Sequence, residues 1–274
     1  MTLFDAFKYD GKRVLVVGGA TGMGAAAAQL ALDAGAEVVV MDFADVAIDG
    51  VKAIHLNLAE RDSVEAAVDA CGGPVHALFA CAGVADGTPN IHKINFIGHR
   101  HLINRMRSGG MLPRGSAVGF ISSAAGLGWE ANLTLINELL DTPDFDAAAR
   151  WVEDQGKADY YWSKQFICAY VAREAMSFLK DGIRINAICP GPTDTPLAQA
   201  NADMWLGFGA DYRAELGIEA STPLEQAYPL VFLCSDAGAV INGITLVTDA
   251  GYFSAGLTEA FPSATPIVKF LSGR

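Results

Sequence analysis

The 274-residue sequence predicts an α/β fold, a doubly wound parallel sheet flanked by helices. Three observations carry that expectation. Short apolar runs rich in Val, Ile and Leu alternate with longer stretches of helical period. Those runs are apolar throughout, as expected of a parallel sheet covered on both faces. A glycine-rich turn joins the first run to an alanine-rich helix, the arrangement by which such sheets receive a phosphate. With 51% hydrophobic and 18% charged residues, the chain holds matter for one substantial core and too little charge for disorder. One domain spanning residues 1–274 is expected.

In order, strands are expected at 13–17, 37–41, 53–56, 76–81, 117–121, 183–188 and 244–247, with helices at 23–33, 61–70, 92–106, 160–179 and 224–233. The last helix has a start signal: Thr222 caps, Pro223 suits the first helical position, and Glu225 completes a capping box. Two segments break the alternation. About residues 127–158 read as an inserted helical hairpin, with Leu133, Ile136 and Leu140 on one face. Its second helix is expected to start at Thr142-Pro143, to turn Phe145, Ala149 and Val152 inward, and to end near Gly156. About residues 194–220 mix Met204, Trp205, Phe208 and Tyr212 with glycines, which suits either a mobile substrate flap or a satellite core under a loop.

The net charge of −12 argues against a nucleic-acid groove or an anionic membrane surface as partner. Five cysteines (Cys71, Cys81, Cys168, Cys189, Cys234) form no CxxC pair, so neither a zinc site nor a disulfide framework is expected. Cys81 and Cys189 read as small apolar packing residues. His99 and His101 have no matching ligand pair, so no metal is expected. The opening residues lack the apolar run of a signal peptide, and 14–28 is too short and glycine-rich for a membrane span. A soluble, cytoplasmic protein is the expectation.

Gly18, Gly22 and Gly24 lie between the first strand and its helix, where glycine permits a tight turn and close approach of a pyrophosphate. Asp42 ends the next strand, placed to accept from both adenine-ribose hydroxyls and to repel a 2′-phosphate. Neither Ala20 nor Thr21 is basic, and Phe43 follows Asp42, so NAD is expected rather than NADP. Farther on, Tyr160 and Lys164 are four apart on a helix and share a face. A phenol with an ordinary pKa near 10 is a poor base and needs a cationic neighbour, which Lys164 supplies. Tyr161 has Gln165 four residues on and cannot play that part.

The spacing Gly-x3-Gly-x-Gly, with these residues downstream, resembles the short-chain dehydrogenase/reductases across nearly the whole chain. The resemblance implies a Rossmann-type sheet and an NAD-dependent oxidoreductase acting on CH–OH groups. Cys81-Ala82-Gly83 resembles the family's Asn-Ala-Gly element, with Cys in place of Asn. Asn57 stands where the family usually has an Asp on adenine. Pro190-Gly191 with Thr195 resembles the motif that holds the nicotinamide carboxamide, and Thr21, Met23, Leu58 and Thr193 complete the implied cofactor set. Ser122-Ser123-x-x-Gly126 matches a pattern whose second serine is catalytic, which implies Ser123 as the residue that bonds the substrate oxygen. Asn95 matches the asparagine that holds a water near the lysine. In the implied mechanism Tyr160 exchanges the alcohol proton, and Lys164 also binds the nicotinamide ribose.

The insertion between Ser123 and Tyr160 is similar to that of a narrower branch, the bacterial 3α-hydroxysteroid dehydrogenase/carbonyl reductases and coniferyl-alcohol dehydrogenases. That branch implies a small hydrophobic alcohol or ketone as substrate, with Trp129 and Trp205 as candidate contacts. An NADPH-dependent carbonyl reductase and a non-catalytic dinucleotide sensor are the alternatives. Asp42 disfavours the first, and the joint presence of Asn95, Ser123, Tyr160 and Lys164 disfavours the second. The family often assembles through the helices after the fourth and fifth strands. A homo-oligomer, dimer or tetramer, is therefore expected, with the insertion beside that contact.

Overall fold

The computed structural model describes residues 2–273. Seven parallel strands form one sheet in the order β3-β2-β1-β4-β5-β6-β7. They are β1 (Arg13–Val17), β2 (Glu37–Asp42), β3 (Lys52–His55), β4 (Ala77–Ala80), β5 (Ala117–Ile121), β6 (Arg184–Pro190) and β7 (Thr245–Thr248). The order reverses between β1 and β4, so a crevice opens there at the carboxyl ends of the strands. Leu15 and Val17 enter one core while Val14 and Val16 enter the other. This double burial is why the strands read as unbroken apolar runs.

On one face lie α2 (Arg61–Cys71), α3 (Gly98–Ser108) and α6 (Tyr160–Lys180), and on the other α1 (Gly22–Asp33) and α10 (Pro223–Cys234). The capping box of α10 is present: Thr222 Oγ1 accepts from Glu225 N (3.2 Å), and Thr222 N donates to Glu225 Oε2 (2.7 Å). The expected helix at 92–106 divides into a π turn, Lys93–Ile97, followed by α3. Gly98 N–H donates to the Lys93 carbonyl, skipping one residue more than an α-helix does.

The insertion is the expected hairpin, α4 (Leu133–Leu140) and α5 (Phe145–Asp154). Ile136, Leu139, Phe145, Ala148 and Val152 join the core that holds α3 and α6. The start of α5 corrects the expectation at Thr142-Pro143. Asp144 is the N-cap, its Oδ1 accepting from Ala147 N (2.8 Å), because a carboxylate outcompetes an upstream hydroxyl for that N–H. Thr142 instead closes α4, its Oγ1 donating to Leu139 O (2.6 Å). Arg100 of α3 grips the same corner. Its Nη1 donates to Leu139 O and Thr142 Oγ1, and its Nη2 to Leu140 O and Thr142 O.

After β6 come α7 (Pro196–Gln199), α8 (Ala202–Trp205) and α9 (Ala210–Leu216). Phe208 and Tyr212 form a satellite core with Tyr252, Phe261 and Val268, on or beside α11 (Tyr252–Leu257) and α12 (Thr265–Leu271). Those last two helices were not expected, since neither is long enough to display a helical period. No helix among the described residues is long and apolar enough to cross a membrane.

Candidate active site

At the switch point between β1 and β4 the structure has a cleft of about 480 Å³, within the range of small-molecule and cofactor sites. The turn Gly18–Gly24 forms its floor. Gly18 N–H donates to Met41 O (2.7 Å), which ties the turn to β2. A Cβ at Gly18 would overlap the Ala82 backbone, and one at Gly24 would overlap the Gly18 carbonyl, so the spacing of these glycines is steric. Thr21 precedes α1 without a side-chain cap, and Thr21, Gly22 and Met23 line the cleft beside the positive end of that helix.

Asp42 lies on the cleft wall at the end of β2. Its Oδ2 accepts from Ala20 N (2.8 Å) and its Oδ1 from Ala44 N (2.9 Å), so the carboxylate is anchored where a ribose would lie. Asn57 and Leu58 line the same wall. Asn57 Oδ1 already accepts from Ala59 N (3.0 Å), so an adenine amine would have to share that oxygen. Sequence reasoning passed over Phe43 as a lining residue; it is exposed, faces His55 (ring centres 5.5 Å) and borders the cleft. Among the described residues, no Lys or Arg lines the wall around Asp42. Backbone donors at a helix start, glycine-only approach and an anchored carboxylate together fit a dinucleotide.

Across the crevice, Cys81, Ala82 and Gly83 follow β4 and line the cleft. Cys81 N and Ala82 N both donate to Val17 O (2.8 Å), and His99 Nε2 donates to Ala82 O (3.0 Å). His99 was set aside in the sequence because it had no metal-ligand partner. Its position four residues after Asn95, on the same helical face, was the signal to follow.

Tyr160 opens α6. Its phenol faces the Ser123 side chain at the end of β5. Burial pushes the phenol up to about 12, against the lowering effect of Ser123. Lys164 is buried one turn on, its Nζ donating to Ile121 O (3.1 Å) and lying 5.3 Å from the Tyr160 ring centre. Burial brings its ammonium down to about 8. A side chain at Gly83 would touch both Lys164 Nζ and Asn95 Oδ1, so the lysine reaches the cleft wall. Ser122 points the other way: its Oγ donates to Lys164 O (3.0 Å). Gly126 permits that packing, since a Cβ there would lie 2.7 Å from Ser122 Oγ and from Cys168 Sγ.

The Asn95 carboxamide is buried in the π turn, with both N–H donors and one lone pair of its oxygen engaged. Its Oδ1 accepts from Val84 N (2.8 Å), and its Nδ2 donates to Val84 O (3.0 Å) and Ser163 Oγ (3.1 Å). Thr195 caps α7 through Ala198 N (3.1 Å) and borders the cleft, its methyl facing Gly22. Pro190, Gly191 and Thr193 do not line it. Pro190 ends β6, Gly191 lines a neighbouring cavity of about 490 Å³, and Thr193 Oγ1 donates to Gly191 O (3.0 Å). Of the two candidate substrate tryptophans, Trp205 packs on Tyr160 (ring centres 5.0 Å). Trp129 lies apart, lining a groove with Leu133, Asn137 and Ala172 between the insertion and α6. Among the described residues there is no cluster suited to a metal.

Residues 144–253 match a family model described as enoyl-(acyl carrier protein) reductase. The chain is 30% identical over 260 residues to the cis-4-hydroxycyclohexanecarboxylate dehydrogenase of Sinomonas cyclohexanicum, covering 88% of this chain and 96% of that protein. It is 26% identical over 252 residues to the coniferyl-alcohol dehydrogenase of Pseudomonas sp. strain HR199, covering 89% of this chain and 97% of that protein. Among solved structures it is similar to the 3-alpha-hydroxysteroid dehydrogenase of Pseudomonas sp. B-0831 complexed with NADH. The TM-score there is 0.72 at 27% identity, covering 91% of this chain and 99% of that one.

Proposed function

The chain belongs to the short-chain dehydrogenase/reductase family, and from that premise we propose that it interconverts an alcohol and a carbonyl with NAD(H) on a hydrophobic substrate. The proposed substrate is a hydroxysteroid or an aryl alcohol of the coniferyl type. One observation carries the reading: the Tyr160 phenol faces Ser123 and lies beside buried Lys164, whose Nζ approaches Gly83 on the wall of the cleft that also holds Asp42.

Bound nicotinamide supplies the hydride acceptor or donor. The chain's own residues manage the proton and the oxygen. Ser123 holds the substrate oxygen, and Tyr160 takes the hydroxyl proton or returns it. With the phenol at about 12 even beside Lys164, the positive charge of an oxidised nicotinamide would have to bring it down. Because both N–H donors of the Asn95 carboxamide are taken by Val84 and Ser163, a water at Asn95 would be held by its main chain, which the π turn reshapes. NAD over NADP is supported by the Asp42 carboxylate and by the lack, among the described residues, of a Lys or Arg on the cleft wall beside it. We place the protein in a reducing cytoplasm, in keeping with five free cysteines, and assign it as a homo-oligomer.

The test is reduced-nicotinamide absorbance with NAD or NADP and a panel of cyclohexanol, androsterone and coniferyl alcohol. Turnover with NAD is expected, and Tyr160→Phe should lower kcat by about a hundredfold or more while still binding NADH. Residual turnover within about tenfold of wild type would remove Tyr160 from its role.

A further inference from the structure

Asp86 lies in the loop after β4, exposed to solvent, and takes no part in the chemistry described above. Its Oδ1 nevertheless accepts the backbone N–H of Tyr160 at 2.7 Å, across 74 positions of sequence. The N-cap of α6, Asp159, already serves Trp162 N (2.8 Å), so the first turn of that helix is held by two carboxylates, one of them from another element. The same loop is gripped two residues earlier, where Val84 N and O both bond to the Asn95 carboxamide. Asn95 Nδ2 donates to Ser163 Oγ, and Ser163 Oγ donates to Tyr160 O (2.7 Å). A closed circuit results, running from Asn95 through Val84 and Asp86 to Tyr160 and back through Ser163.

We propose that Asp86 is a positioning residue for proton transfer: it ties the backbone of Tyr160 to the loop bearing the cofactor-side wall, so that phenol and nicotinamide keep one spacing. The proposal rests on the assignment of Tyr160 given above. The groups that face the phenol come from several elements. Ser123 approaches from β5, Lys164 from α6 itself, the Cys189 thiol from β6 and the Trp205 indole from α8. Asp86 is the carboxylate among them, and after burial its charge acts to keep the phenol protonated, the Cys189 thiol being held neutral by its contact with Cys168 and its own burial. Asp86 therefore has two separable effects, a hydrogen bond that sets position and a charge that sets ionisation.

Asp86→Asn keeps an acceptor oxygen and removes the charge, whereas Asp86→Ala removes both. The measurement is kcat and KM against pH for both variants, with NAD and the alcohol from the panel that the wild type turns over. In both, the rate-governing pKa should fall by on the order of half a unit, and the shift should shrink in high salt. Plateau kcat should stay within about twofold for Asp86→Asn and drop about tenfold for Asp86→Ala, with KM for NAD changed by less than about twofold in each. Wild-type kcat in Asp86→Ala overturns the proposal. So does an equal loss in Asp86→Asn, and so does a kcat loss matched by lost NAD affinity, which marks general disruption. If Asp86→Ala does not fold, Asp86→Asn decides through its retained kcat and shifted profile. An active Tyr160→Phe is a separate failure, since it removes the tyrosine assignment whatever Asp86 does.

Discussion

His99 donates from Nε2 to the Ala82 carbonyl, so its proton is on that nitrogen, while the buried Nδ1 has no partner. Burial first, and the Lys164 charge after it, bring its pKa down from 6.5 to about 4, against the opposing hydrogen bond to Ala82. The folded state thus holds the imidazole neutral where the unfolded chain would protonate it. Stability should be complete above pH 6.5 and decline as pH falls toward 4, by at most about 3 kcal/mol from this group. Urea midpoints over that range should show the decline, and His99→Gln, which can still donate to Ala82, should flatten it. His92, also lowered by burial, keeps part of the slope in that variant. Residues of this kind divide sharply in legibility. Tyr160, Lys164 and Ser123 could be proposed because they lie in short contiguous motifs, and the glycines because sterics admit nothing else at 18 and 24. His99 and Asp86 act on main-chain groups 17 and 74 positions away, and no local pattern announces such a bond.

At the scale of elements, the strands were legible because burial on both faces removes polar residues from the run. The long helices followed from their period. The corner after α4 was misread because Thr142-Pro143 resembles a start, yet Asp144 offers the better acceptor and Arg100 claims the Thr142 carbonyl. That arginine lies at the negative end of α4 and supplies four hydrogen bonds to the corner. Arg100→Ala should loosen the hairpin by about 2–3 kcal/mol. Limited proteolysis should then cut first within residues 133–154, with the glycine turn still protected. Uniform cleavage along the chain would show that the hairpin does not open as a unit.

For the whole molecule, the insertion packs into the core shared by α3 and α6 and covers the face those helices would otherwise present. The proposed oligomer must therefore either use other surfaces or include the insertion in its contact. Net charge works at the same scale. The chain carries −12, and the cleft wall around Asp42 has a carboxylate but, among the described residues, no Lys or Arg. Attraction for a pyrophosphate comes from backbone N–H groups at the start of α1, which act only within the first turn. At longer range an approaching dianion meets repulsion, the reverse of electrostatic steering. Capture of NADH should therefore quicken with ionic strength, by about two- to threefold between 10 and 150 mM salt in stopped-flow fluorescence. Dissociation should hardly change over the same interval, because the contacts that retain the cofactor are short-ranged.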